Sequence, residues 1–249
     1  MNATYTDPTF VFAAVVVFAA IFVRALTGFG AALVLVPLLS LVWDLRQVVL
    51  VAAIVQVATG FPVALGARKQ ADRAALVPLL AGSICGLIVG ALLLAILPLD
   101  WLRRGLGALT LLFGISRFTP IAARVIAEPG RRLRLLALPV GFGSGMLTGM
   151  IGTGGPPIVA YLQFRLATTA ARRATLLVYF MVLDFVRLPT YLGSGLGSRT
   201  LVLTAVALIP FALLGTATGH YVHGRLSERI VSSAIAILLV LTGVSLLVK

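Results

Sequence analysis

Charge is scarce in this chain: eleven per cent of its 249 residues are Asp, Glu, Lys or Arg, where a soluble domain carries about a quarter. With sixty per cent hydrophobic residues and a mean hydropathy of +1.11, that scarcity excludes an ordinary soluble domain. Cysteine is nearly absent. The single Cys85 cannot form a disulfide within the chain, and inside an apolar run it reads as a small hydrophobe. The two histidines stand in no HExxH arrangement, which excludes a zincin-type protease. Ser144, in Gly143-Ser144-Gly145, has no base at a convincing spacing, and Lys69 and Lys249 stand in polar positions unsuited to a Ser–Lys dyad. No enzyme activity and no cofactor are expected. Acidic residues are few as well, seven against twenty Lys and Arg, giving a net charge of +13. Nearly all of the basic residues fall in short loops between apolar runs. The charge therefore reads as a topogenic signal with lipid contact, and not as a nucleic-acid surface.

Long apolar runs fill the rest. They cover approximately residues 10–26, 29–43, 47–66, 76–98 and 101–116, then 135–149, 154–166, 174–193, 200–222 and 229–248. Runs of this length, without the alternating polarity of a barrel strand, predict an all-α polytopic membrane protein. Residues Met1 to Phe10 lack a basic leader, so the first run is expected to be a retained helix. A polar, basic connection divides the chain into a first transmembrane repeat at 1–118, a cytoplasmic connection at 119–133 and a second repeat at 134–249. The halves resemble each other. Leu26-Thr27-Gly28 matches Leu147-Thr148-Gly149, Pro62 matches Pro189, and Gly86, Gly90, Gly114 and Ser116 match Gly215, Gly219, Gly243 and Ser245.

One cluster of glycines interrupts the first run of each half: Gly28-Phe29-Gly30, and Gly149 through Gly152-Thr153-Gly154-Gly155 to Pro156-Pro157. Lipid cannot satisfy broken backbone, so such breaks belong where protein or a cavity encloses them, and paired breaks at matching positions point to a transporter's binding site. Charge placement sets their geometry. If each break reverses the chain, giving five segments per half, thirteen basic residues lie on one face (Arg68, Lys69, Arg73, Arg117, Arg124, Arg131, Arg132, Arg134, Arg165, Arg172, Arg173, Arg225 and Arg229) and five on the other (Arg46, Arg103, Arg104, Arg199 and Lys249). If each broken run crosses once, the split is ten against eight. The first arrangement obeys the positive-inside rule. It makes the halves inverted repeats, with broken or re-entrant helices at 10–43 and 135–166, both termini outside, and Trp43 and Trp101 at the outer interface.

The proline pair suits the first turn of a helix beginning near Pro156. Helix N-termini at the two breaks would offer free N–H groups and partial positive charge to a small anion. The expected substrate-binding residues are Thr27, Gly28, Phe29, Gly30, Gly149, Gly152, Thr153, Gly154, Gly155 and Pro156, with Thr148 as a further hydroxyl. Close helix packing is the other use of such glycines. The stretch lacks the Lys and the strand of a nucleotide loop. Ionisable residues inside a membrane mark paths or partners, so Arg24, Gln56, Asp184 and Arg187 are expected to line the path or couple an ion. Asp184 and Arg187, three apart, share a helix face and serve either as a structural ion pair or in coupling. Arg24 either draws in an anion or snorkels to the surface. His220 and His223 read as surface residues.

With these residues in view, the chain resembles the sulfite exporter TauE/SafE family of membrane permeases, from about Phe12 to Val248. The clusters at Gly28-Phe29-Gly30 and Gly149 to Pro157, the following Pro37-Leu38-Leu39 and Ile158-Val159, and the duplicated halves carry the resemblance. The ending Gly-Thr-Gly-Gly-Pro-Pro is its most specific piece, while Ala31-Ala32 stand where glycines are common. The resemblance implies a secondary transporter of the inner cell membrane that exports small sulfur-containing anions such as sulfite, sulfoacetate or other organosulfonates. Alternatives are a passive anion channel and a non-transporting accessory subunit. The expected partners are the anion and the lipid bilayer, with no nucleic acid. The sequence admits a coupling proton or sodium ion, and a homodimer.

Overall fold

A computed structural model describes residues 8–116, 134–222 and 228–248. The expected connection at 119–133, the loop with His223 and Arg225, and both terminal ends lie outside the described residues. Among the described residues there are ten helices and no strand: α1 Pro8–Thr27, α2 Ala31–Leu39, α3 Leu45–Ala67, α4 Arg73–Ile96, α5 Leu99–Ser116, α6 Ala137–Ile151, α7 Gly155–Arg165, α8 Thr169–Gly193, α9 Arg199–Val222 and α10 Glu228–Val248. Five of them, α1, α3, α4, α8 and α9, are long and apolar enough to cross a bilayer, and the chain is a multi-pass membrane protein. Every expected segment is present.

The second segment of each half is short. α2 has nine residues and α7 eleven, and at 1.5 Å per residue they reach only about 13–17 Å into a core roughly 30 Å thick. Side-chain caps begin the helices that follow polar loops. Asp44 accepts from the Arg46 N–H at 2.8 Å to start α3, Asp72 from Ala75 at 2.8 Å to start α4, and Thr168 from Ala171 at 3.3 Å to start α8. Trp101 stands exposed on the first turn of α5, whereas Trp43 folds inward and is buried against the core beyond α2.

Small residues decide the packing. α4 and α6 run parallel and interlock. A Cβ on Gly82, Gly86 or Gly90 would land on the carbonyls of Leu138, Phe142 or Met146, and one on Gly141, Gly145 or Gly149 on those of Leu79, Ser83 or Leu87. Without a hydrophobic drive between helices in lipid, such close backbone approach is what associates them. α1 and α9 form the corresponding parallel pair, with Gly215 over Phe18 and Gly219 over Phe22. Two other pairs run antiparallel. In α5 and α10, Gly107 faces Gly243 and Leu247 while Gly114 faces Ala236 and Val240. In α3 and α8, Phe61 meets Phe185 edge-on at 5.6 Å, while Leu50 approaches Gly197 just past the end of α8. Exchanging the first five helices with the last five returns three of the larger pairings: α1–α9 becomes α6–α4, α3–α9 becomes α8–α4, and α1–α2 becomes α6–α7.

Candidate functional site

Each break is built from local chemistry. α1 stops where Gly28 enters the left-handed region at φ +84°, its N–H closing on the Arg24 carbonyl at 2.8 Å, a conformation costly for a side chain. Thr27 turns its hydroxyl to the Val23 and Phe29 carbonyls at 2.9 and 2.7 Å, and Gly30 at φ +92° opens α2. In the second half, Gly152 at φ +76° ends α6 by donating to Thr148 at 2.9 Å. α7 then begins at Gly155, one residue before the expected start, with Pro156 and Pro157 in its first turn. Gly154 lies flush against Ser144 and Thr148. The Ser144 hydroxyl bonds the Gly154 carbonyl, and Tyr179 bridges Ser144 at 3.1 Å and Ser83 at 2.7 Å. Ser144 is therefore a structural pin joining α6, α8, α4 and the break.

A helix break exposes carbonyls at one end and N–H groups at the other, and the two would oppose each other electrostatically. Here the carbonyl ends are engaged. Arg173 Nη2 donates to the Ala25 carbonyl at 2.8 Å. Tyr191 donates to Gly149 at 2.7 Å and lies 3.2 Å from Thr148 O. The amide ends are left open. The first bond within α2 runs from Val34 to Gly30 at 3.3 Å, so the amides of Ala31, Ala32 and Leu33 have no helical acceptor. α7 offers fewer, because its two prolines carry no N–H. The stronger donor cradle is thus the first break, although the second has the sharper sequence signature.

The two breaks meet. Gly152 lies within reach of Ala32 and Val36 of α2 and of the Arg187 guanidinium, and Gly155 faces Phe29 and Phe180. Between them is a cavity with about 400 Å³ of empty space, its mouth included, lined from α2 by Gly30 to Leu33 and from the second break by Thr148, Gly152, Thr153 and Gly155. Arg24, Gln56, Asp184 and Arg187 complete the wall together with Phe29 and Phe180. Arg187 and Asp184 pair at 3.0 Å along one face of α8, and Arg187 lies over the Tyr191 ring at 5.9 Å. Arg24 donates to the Gln56 carbonyl at 3.3 Å. Its guanidinium lies flat on α3 only because position 60 is glycine, since a Cβ there would overlap Nη2. All four polar residues are buried. Two cations against one carboxylate leave one formal positive charge. Gln56 Nε2, Thr153 Oγ1, Arg187 Nε and Asp184 Oδ2 are buried without a hydrogen-bond partner. Buried donors cost roughly 1–3 kcal/mol each when unpaired, so an arrangement with three of them around one cavity is shaped for something that accepts.

Ten of the expected site residues line this cavity: Arg24, Phe29, Gly30, Gln56, Thr148, Gly152, Thr153, Gly155, Asp184 and Arg187. The other five shape its walls from outside. Thr27 ties the first turn, Gly28 faces Arg173, Gly149 packs on Leu87 of α4, Gly154 packs on α6, and Pro156 starts α7. Arg24 turns inward and does not snorkel. Phe180 and Gly60 were not anticipated. A glycine beside Phe61-Pro62 in a long apolar run was the available signal for Gly60, and an aromatic one turn before Asp184 was the signal for Phe180.

The sulfite exporter TauE/SafE family model matches residues 12–246. The chain is also 34% identical over 104 residues to the "Probable inner membrane transporter protein TsaS" of Comamonas testosteroni, a stretch covering 41% of this chain and 43% of that protein. No solved structure matches the chain.

Proposed function

We propose, from the premise that this chain belongs to the sulfite exporter TauE/SafE family, that it is a secondary transporter exporting small sulfur-containing anions. Sulfite, sulfoacetate and other organosulfonates are the substrate class. The observation that carries this reading is the cavity where the two broken helices meet. It presents the free amides of α2, the Thr153 hydroxyl and Arg187, with a net positive charge and with the nearby helix carbonyls turned to other partners. Oxyanions take hydrogen bonds from such groups without conformational rearrangement of the donors. Arg187 and the α2 amides hold the sulfonate or sulfite group, Arg24 and Gln56 close one side, and Asp184 holds Arg187 in place when the anion is absent.

Alternating access between inverted repeats is the transport mode. The antiparallel sense of α5 against α10 and of α3 against α8 supports it, because equivalent helices oppose each other only when each half makes an odd number of passes. The positive-inside rule supports the matching orientation, with the basic loops in the cytoplasm and both termini outside the inner membrane. A proton or sodium ion is the coupling partner.

Proteoliposomes loaded with unlabelled sulfite should accumulate external radiolabelled sulfite by counterflow, and Arg187→Gln should abolish it. Flux without counterflow would make the protein a channel. The absence of any anion-dependent flux for sulfite, sulfonates and carboxylates would refute the reading.

A further inference from the structure

A second cavity adjoins the first and shares one residue with it, Arg24. It is a narrow, open cleft of about 10 Å³, room for roughly one water, among Ile21, Ala25, Thr59, Val63, Arg173, Leu177, Thr216 and His220. Its register fixes where it lies. Along α3 the first cavity is lined at Gln56 and the second at Thr59 and Val63, toward the end of the helix at Ala67. Along α8 the first is lined at Phe180, Asp184 and Arg187, and the second at Arg173 and Leu177, toward the start at Thr169. Both helices place the second cavity between the first and the basic end formed by the loop with Arg68 and Lys69 and the first turn of α8 with Arg172. His220, at the end of α9, is exposed at this rim.

The lining chemistry has one sign. Arg24, Arg173 and His220 contribute basic groups, Thr59 and Thr216 contribute hydroxyls, and no carboxylate is among the lining residues. Position 24 of the first half aligns with Gly145 of the second, and Gly145 packs directly on Ser83 within the α4–α6 interlock. An arginine on one side and a glycine contact on the other make the two ends of the site unequal.

We infer that the second cavity is a separate anion station, through which a small oxyanion passes between the basic face and the central cavity, with the Arg24 guanidinium as the movable partition. This rests on the proposed anion transport and adds a site and a route to it. Arg24 makes one hydrogen bond, to the Gln56 carbonyl at 3.3 Å, is attracted to the buried Asp184, and borders both cavities, so a swing of its guanidinium hands an anion from one to the other without exposing it to lipid. Clefts lined by one sign of charge raise the local concentration of counter-ions, which is the use of a station lined by Arg173 and His220.

Thiol labelling of the full-length protein in membranes tests this. In a Cys85→Ala background, Thr216→Cys is reacted with an anionic ethylsulfonate and with a cationic trimethylammonium methanethiosulfonate. The anionic-to-cationic rate ratio, normalised to a free thiol, should be raised about tenfold, as expected for a positively lined cleft. Methanesulfonate should slow the labelling. Arg173→Gln should remove the preference, and Arg173→Lys should restore it, which separates charge from any loss of packing. Thermal stabilisation of the same variant by methanesulfonate reports the central cavity independently. Stabilisation with an unraised ratio, or without protection from labelling, overturns the station while leaving the central site intact. Failure of both stabilisation and protection overturns the transport reading and the station together.

Discussion

Replacing Gly60 by alanine puts one methyl group on α3 where the Arg24 guanidinium now lies. Ordinary carbon–nitrogen contact of about 3.5 Å or more requires the guanidinium to withdraw by roughly 1–2 Å, breaking its bond to the Gln56 carbonyl, now 3.3 Å long. Two effects on the empty protein oppose each other. Alanine favours a helix interior over glycine by about 1 kcal/mol, and losing one charge-assisted bond costs about 1.5 kcal/mol at the weak end suited to that length. Stability without ligand should therefore stay within about 1 kcal/mol of the parent. Anion affinity has no such offset. If the guanidinium retreats from about 4 to about 6 Å from a bound anion at an effective dielectric near 20, the Coulomb loss is about 1.4 kcal/mol, or tenfold in Kd. The assay is a thermal-shift titration of sulfite or methanesulfonate on purified protein, with Gly66→Ala as control because nothing lies near that position. Gly60→Ala binding within about twofold of the parent, at unchanged melting temperature, would refute the role given to Arg24.

Three further substitutions probe other parts of the structure. Thr153→Val removes a buried hydroxyl without a partner and should leave the melting temperature unchanged or raised while weakening anion binding about tenfold; equal affinity in a binding titration would exclude Thr153 from the site. Tyr191→Phe leaves the Gly149 carbonyl without its donor and should destabilise the protein by about 1–2 kcal/mol in thermal denaturation, and an unchanged midpoint would mean that water or another group caps α6. Gly86→Ala drives a methyl group into the Phe142 carbonyl across the α4–α6 interface and should cost about 1–3 kcal/mol, seen as a lower detergent melting temperature and a poorer monodisperse yield. An unperturbed variant would show that these helices can part freely.

Much of the helical layout could be read from hydropathy, because lipid makes apolar length nearly equivalent to a helix. The paired breaks were legible for the same reason: glycine and proline inside such a run need enclosure. Harder to read was which glycine serves the cavity and which serves packing. Gly152 and Gly154 differ by two positions, yet one faces Arg187 and the other is pressed on Ser144, a distinction set by a single left-handed residue. The Pro156-Pro157 pair marks the break clearly but removes amide donors, so the plainer Ala31-Ala32 end is the better cradle. Trp43 illustrates another limit. Its packing against the core beyond α2 could not be read from the ring's interfacial preference, which concerns depth in the bilayer and not contact with neighbouring side chains.

The α4–α6 interlock also governs how the molecule can move. Each glycine is a notch that receives the opposing backbone, and successive notches on one helix are four residues apart, about 6 Å along the axis. A slide shorter than one notch would set carbonyls against the ridges between them, so the pair is keyed like a splined shaft and travels as one rod. That rod joins a helix of the first half to a helix of the second. The two halves of the sequence are therefore locked to each other along this interface, and again where Gly215 and Gly219 of α9 receive the backbone of α1, so a motion that parted the halves as whole bodies would have to break both interlocks.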